Sequence, residues 1–400
     1  MIELEAFSSA DKMVEHCRPE TSVIGVRPNA ARRAAAWFHA NFPGDIVYAL
    51  KANSGQHVLE ALMAGGISQF DVASLCEIER AHQLGATKLH FMNPVKSRHA
   101  IASAYFDYGV RSFALDTEAE LEKILDATGR ARDLSLFLRL ASDGHLSRIP
   151  LDVKYGVAGD AAVSLLKRVR QYALEVGVTF HVGSQALSPD AFTSSMIDAE
   201  RVILKSGVLV DVLDIGGGFP SAYPECTPPS LELFMSCILR QFESMTIGDQ
   251  CRLICEPGRA LVAEAESVIV QVDARRNGSL YISDGAFGML YDATHSDFIF
   301  PARRVGFGDT SPCALAPFSF WGPTCDSIDF MKGPFLLPAD MKEGDYIEIG
   351  QLGAYGRSMA SGFCGFGNYS EVILNDEPML SMYSDISNAD TERQTRNLAQ

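Results

Sequence analysis

Tyr48-Ala49-Leu50-Lys51-Ala52-Asn53 ends a short apolar run on a lysine. Such a run, bounded by polar residues, reads as a strand buried on both faces, the kind that builds parallel sheets. A lysine at a strand end ordinarily reaches solvent along its apolar stem. Here three later stretches close apolar runs in the same way: His181-Val182-Gly183-Ser184-Gln185, Asp214-Ile215-Gly216-Gly217-Gly218-Phe219-Pro220 and Cys255-Glu256-Pro257-Gly258-Arg259.

Outward from 48–53, eight apolar runs fall at 46–51, 69–73, 88–92, 110–115, 134–140, 178–182, 210–215 and 252–255. Helical patterns such as 118–127, 160–176 and 231–245 lie between them. Strict alternation with eight strands is the pattern of an α/β fold, a (β/α)8 barrel of the TIM type; a doubly wound open sheet is the alternative. The polar residues favour the barrel. Lys51, Asp71, Asn93, Asp116, Arg139, His181, the Gly216–Gly218 run and Glu256 all fall at or just past the C-terminal ends of different strands. In a barrel those ends converge on one mouth, where active sites are built.

After Ala263 the texture changes. Residues 267–273, 279–283, 346–350 and 369–374 read as strands between Gly and Pro turns, so a C-terminal β-sandwich or β-barrel domain is expected. We expect the barrel over 26–265 and the β domain over 266–400, with 1–25 joining it because chain ends often meet. The polar tail, 384–400, carries no periodicity and is expected to fray.

A net charge of −16 excludes a nucleic-acid binder and a protein that docks on an anionic membrane. The nine cysteines are odd in number and scattered, without a paired metal-ligand spacing, and no metal is expected. Cys251 and Cys255 read better as two positions of one strand. The first residues lack a signal peptide's basic and apolar regions, and no run is long enough to span a bilayer, so the expected compartment is the cytoplasm.

The site residues carry the chemistry. Gly216-Gly217-Gly218 lets the backbone turn sharply and bring bare N–H groups against an anion, although a glycine run after a strand is often only a turn. Gly258-Arg259 offers a second anion contact, and in a barrel the loops after strands seven and eight are the usual phosphate site. Glu256 ends an apolar strand and needs a partner there, either a salt bridge or a protonated ring nitrogen. His181 reads as a satisfied core histidine or as an imidazole stacked on a flat ring. Partial desolvation of Lys51 is expected to lower its pKa and favour the neutral amine that Schiff-base chemistry needs. Together these are the parts of a pyridoxal 5'-phosphate site. Two further constellations, Trp321-Gly322-Pro323-Thr324-Cys325-Asp326 and Gly353-Ala354-Tyr355, say little by themselves.

As an ordered set, from about 46 to 374, these motifs resemble the fold-type III (alanine-racemase-fold) decarboxylases that depend on pyridoxal phosphate, closest to the ornithine/lysine decarboxylases. The resemblance implies that Lys51 bonds covalently to the cofactor and that Asp71, Glu77 and Arg139 lie beside it. It places His181 on the ring and Glu256 at the pyridine nitrogen. Ser184, Gly216, Gly217, Gly218, Gly258, Arg259 and Tyr355 would hold the phosphate. Cys325 would return the proton after carbon dioxide leaves, and Tyr291, Asp292 and Asp326 would bind the substrate's distal ammonium. It also implies a homodimer with two active sites at the interface, where Cys325 and Asp326 come from the partner subunit.

Diaminopimelate decarboxylases typically carry Cys-Glu after the Gly-Pro turn, and this chain has Cys325-Asp326. That favours a small basic amino acid with a bare terminal ammonium: L-ornithine, giving putrescine, with L-lysine, giving cadaverine, as second substrate. One methylene, worth about 0.8 kcal/mol of burial, separates the two. The alternatives are diaminopimelate, another modified diamino acid of a specialised pathway, a racemase on the same fold, and a non-catalytic decarboxylase-like binding protein. A racemase needs a tyrosine base opposite Lys51, and the Cys325 match speaks against it; dead paralogues tend to lose the lysine or the cofactor ligands that this chain keeps.

Overall fold

The computed structural model describes residues 4–248, 250–306 and 314–383. Eight parallel strands close a barrel. They are β1 Asp45–Ala49, β2 Gln69–Val72, β3 Lys88–Phe91, β4 Ser112–Leu115, β5 Ser135–Arg139, β6 Glu175–Thr179, β7 Val212–Asp214 and β8 Arg252–Cys255, with β8 pairing back to β1. The expected tail at 384–400 lies outside the described residues.

The period-two geometry of a strand sorts the side chains. Ile46, Tyr48, Phe70, Leu136, Leu138, Leu213 and Cys255 point outward into the main core shared with the helices. Val47, Met92, Ala114, Phe137, Val212 and Ile254 fill the barrel interior as a separate cluster. Asp71, Arg139, Thr179, Asp214 and Glu256 share the inward parity of these residues, but each lies at a strand's C-terminal end. The pattern that packs the barrel thus also gathers polar groups at its mouth.

Helices follow the strands. Those at Leu75–Gln83, Arg98–Phe106, Glu118–Ala127 and Leu231–Ser244 open on Ser74, Ser97, Thr117 and Ser230, whose hydroxyls accept an orphan N–H. Pro28–Asn41 packs on the outside beside Gln56–Ala64.

The sixth barrel unit differs from the expectation. The helix stops at Arg170 and the strand occupies 175–179, three residues earlier than the apolar run suggested. Tyr172, Ala173 and Val176 fall in helical spacing and made the helix look longer. Gly177 marks the strand: a Cβ there would lie 2.2 Å from the Phe137 ring inside the barrel.

The rest of the chain forms a nine-stranded sheet. Its long central strand β9, Glu266–Arg276, pairs with Val23–Val26, Ser279–Ile282 and Tyr346–Ile349. Ser370–Leu374 lies parallel to Val23–Val26. Leu315–Trp321 and Phe330–Pro338 extend the sheet to its edge, and Ala302–Val305 pairs with Tyr346–Ile349. These last three were not expected from the sequence. Pro317 and Pro334 interrupt two of them, and proline is tolerated in a strand mainly near a sheet edge.

Candidate active site

The barrel mouth holds a cavity of about 360 Å³ lined by Lys51, Asp71, Arg139, His181 and Glu256, together with Met92, Asn93, Pro94, Leu151 and Tyr155. Lys51 lies in a single 3-10 turn, Leu50–Ala52, directly after β1. The pairing of Ala49 with Asp71 brings the two side chains together. Lys51 Nζ donates to Asp71 Oδ2 at 2.5 Å, and Asp71 is buried.

This corrects the expectation of a depressed lysine pKa. Burial does pull it down, but the charges of Asp71 and Glu256 outweigh burial and hold the amine above its ordinary range. The chain on its own keeps Lys51 as an ammonium.

Glu77 is seated at the helix start: Ser74 Oγ, the N-cap, accepts Glu77 N at 3.3 Å, and Glu77 Oε2 accepts Ala73 N at 2.6 Å. Its carboxyl is raised, mainly by burial. Glu77 therefore fixes the loop after β2 and does not line the cavity.

Arg139 is half-buried at the end of β5, and its Nε has no partner among the described residues. Burial lowers its pKa against the pull of Glu256 and Asp214. His181 is held well below the usual imidazole range by burial and then by the charges of Arg139 and Lys51, so it is neutral. Its Nδ1 accepts Gly183 N at 3.1 Å, which leaves the proton on Nε2.

Glu256 and Asp214 form a buried carboxyl pair. Both pKa values are raised, first by burial; for Glu256 the negative charge of Asp214 adds to it, whereas for Asp214 hydrogen bonding, first from Gly216 N, opposes it. Asp214 Oδ1 accepts Gly216 N at 2.9 Å, while Oδ2 has no partner among the described residues. Asp214 was not singled out from the sequence, although a carboxylate inside an apolar strand was the available signal.

The glycine run is a main-chain cradle. Gly216 has φ 65° and Gly218 φ 113°. A Cβ at Gly216 would lie 2.1 Å from Phe180 O, at Gly217 2.6 Å from Glu256 O and at Gly218 2.6 Å from Gly183 O. Among the described residues, the amides of Gly217, Gly218 and Gly258 find no acceptor.

Arg259 is buried beside this cradle. It donates through Nε to Ser184 Oγ at 3.3 Å, through Nη1 to Tyr223 Oη at 2.7 Å and through Nη2 to Asp292 Oδ2 at 3.2 Å. Tyr355, at φ 65°, is anchored by its N–H on Ala52 O at 2.8 Å, and its ring lies 5.1 Å from the Arg259 guanidinium. Tyr291 stacks on His295 at 4.0 Å in the helix Tyr291–His295. Nothing in the sequence pointed to Tyr223.

Cys325 and Asp326 do not join this cluster. They line a second cavity of about 500 Å³ on the sheet domain, with Asp273, Tyr281, Trp321 and Phe366. The expected site residues are thus divided between two places in one chain.

The model for the pyridoxal binding domain of pyridoxal-dependent decarboxylases matches residues 29–263, and that for their C-terminal sheet domain matches 180–353. A lysine/ornithine decarboxylase of Selenomonas ruminantium is 31% identical over 343 residues, covering 83% of this chain and 84% of the relative. Mouse ornithine decarboxylase is 32% identical over 368 residues, covering 85% and 77%. Among solved structures, the Vibrio vulnificus lysine/ornithine decarboxylase complexed with putrescine superposes with a TM-score of 0.78 at 26% identity, over 92% of this chain and 99% of that one. An SrLDC mutant in complex with PLP gives 0.82 at 26% identity, over 99% and 100%.

The residues fit that cofactor. One cavity offers an amine, a neutral imidazole, a buried carboxyl and a guanidinium nitrogen without a partner among the described residues. Beside it lies an amide cradle that any side chain at 216–218 would obstruct. The chain belongs to the pyridoxal-dependent decarboxylases, as a basic amino acid decarboxylase that works with pyridoxal phosphate.

Proposed function

We propose that the chain decarboxylates L-ornithine to putrescine, and L-lysine to cadaverine as a second activity, at two sites shared across a homodimer. The carrying observation is the division of the site residues. Lys51, Arg139, His181 and Glu256 line one cavity, whereas Cys325 and Asp326 line another on the sheet domain. A second copy would bring the two halves together. The lysine/ornithine and ornithine decarboxylases among the relatives, and the putrescine and cadaverine in related structures, support this substrate class.

Bound pyridoxal phosphate supplies an electron-poor ring that takes up the electron pair left when carbon dioxide departs. Lys51 holds the cofactor covalently, and Asp71 and Arg139 position it. Glu256 would meet the pyridine nitrogen, and the neutral His181 would pack on the ring without adding charge. The amides of Gly217, Gly218 and Gly258, with Ser184, Arg259 and Tyr355, would hold the phosphate, and Gly216, whose N–H is taken by Asp214 Oδ1, would shape the turn that presents them. Cys325 Sγ carries the proton returned to the substrate carbon. Asp326 and Asp292, with Tyr291 nearby, accept the distal ammonium in charge-assisted hydrogen bonds.

The test is product analysis with a panel of basic amino acids. Putrescine from ornithine should form fastest and cadaverine from lysine next. Fastest turnover of meso-diaminopimelate would overturn the substrate assignment.

A further inference from the structure

Cys325 and Cys364 come from different loops and meet at the surface of the sheet domain. Their sulfurs lie 3.8 Å apart and both residues are exposed. Cys325 rides a fixed turn. The buried Asp329 carboxylate accepts Thr324 N at 3.0 Å, Thr324 Oγ1 at 2.7 Å and Ala286 N at 2.7 Å.

Cys364 sits in the single turn Phe363–Gly365 with φ 56°, in the left-handed region that side chains rarely adopt. Gly362 and Gly365 flank it, and a Cβ at either would meet nothing within 4 Å. One thiol is therefore anchored, and the other stands on an unobstructed glycine-flanked turn. Closing to a disulfide bond of about 2.05 Å asks for a shift of roughly 2 Å.

We propose that Cys325 and Cys364 form a reversible disulfide under hydrogen peroxide, and that this bond switches decarboxylation off. The loss of activity rests on the role given above to Cys325; the formation of the bond does not. One thiolate attacks the peroxide, forming an S–O bond as the O–O bond breaks and water leaves with a proton. The second thiol attacks that sulfur. The S–S bond forms, the S–O bond breaks, and the oxygen leaves as a second water with the remaining thiol proton. Two thiols are oxidised by two electrons and one peroxide is reduced to two waters. An external dithiol reverses the change by exchange.

Because Cys325 serves the partner's barrel mouth in the proposed dimer, oxidation of one protomer silences the site of the other. Cys364 acts here as a resolving thiol, which protects Cys325 from further oxidation.

The holoenzyme is titrated with hydrogen peroxide, alkylated and digested without reductant. Cys313 lies on the same tryptic peptide as Cys325, between Arg304 and Lys332, so fragment ions assign the linked sulfur. A Cys325–Cys364 crosslink should appear in step with an activity loss of at least tenfold, and dithiothreitol should reverse both. Cys364→Ser should keep its untreated activity and form no crosslink. Its loss under excess peroxide should become irreversible as Cys325 passes to the sulfinic acid. Inactivation without the crosslink, or full recovery of Cys364→Ser with dithiothreitol, would overturn the proposal. A complete crosslink with activity intact would instead overturn the role of Cys325 and leave the bond standing.

Discussion

Lys51 Nζ and Asp71 Oδ2 stand 2.5 Å apart at the barrel mouth. The amine proposed to bond to the cofactor is thus charged and clamped in the chain alone. Lys51→Ala should abolish turnover and the borohydride-reducible cofactor bond. Mass spectrometry after reduction should place the pyridoxyl group of the wild type on Lys51. An adduct on Lys96 or Lys154 instead would displace the site. Lys96 is a poor competitor, because its ammonium is buried and bonded to the carbonyls of Asn93 and Ala114 and to Glu120.

The division of the site between two cavities predicts complementation. Inactive Lys51→Ala and Cys325→Ala proteins, mixed under subunit exchange, should regain activity. Random pairing gives half mixed dimers with one intact site each, so recovery should reach at most about a quarter of wild type in a symmetric dimer. Proven exchange without recovery would count against a shared site.

Asp326 should select a bare distal cation. Removing one partner of a buried charge pair costs about 3–5 kcal/mol, so Asp326→Ala should cut turnover of ornithine and lysine by roughly several hundredfold. Wild-type turnover of meso-diaminopimelate should be poor, because its second carboxylate would face these aspartates. Parallel rates on the three substrates decide the matter.

His90 points into the barrel interior, 3.0 Å from Gln69 Oε1, and burial drives its pKa down to about 3. The native state therefore refuses a proton that the unfolded chain accepts below about pH 6.5. Stability tied to His90 is fully present above that pH and is lost as pH falls towards 3. Between pH 7 and 5 this amounts to about 2 kcal/mol. Urea unfolding of wild type and His90→Gln at both pH values should show a smaller acid loss in the variant. An equal loss would remove His90 from the account.

Gly216→Ala places a Cβ 2.1 Å from Phe180 O at a positive φ. Left-handed backbone costs a side chain about 1–2 kcal/mol before the clash is counted. The variant should retain pyridoxal phosphate at least about tenfold less well, which equilibrium dialysis with the cofactor would measure.

The barrel was legible because its strands are buried on both faces and end on polar residues of one parity. Lys51, Asp71, Arg139, His181 and Glu256 could be placed at one mouth for that reason. The shift of β6 was not legible, since Tyr172, Ala173 and Val176 satisfy a helix as well as a strand. Pro317 and Pro334 hid two strands of the sheet. Charge balance escaped as well: Lys51 looked desolvated in sequence, but its pKa is set by Asp71, twenty residues away in the chain. Tyr223 became a partner of Arg259 only through folding.

Arg259 has a protein oxygen on each of its three nitrogens, and the cradle beside it is made of main-chain amides. An anion held mainly by backbone is indifferent to most side-chain replacement around it. Of the residues proposed to meet the far end of the substrate, Asp292 is bonded to Arg259, whereas Asp326 lies elsewhere, on the turn that also carries Cys325. Sequence drift on that turn can therefore redirect the enzyme to another amine without loosening its grip on the cofactor. The architecture separates what must be kept from what is free to diverge.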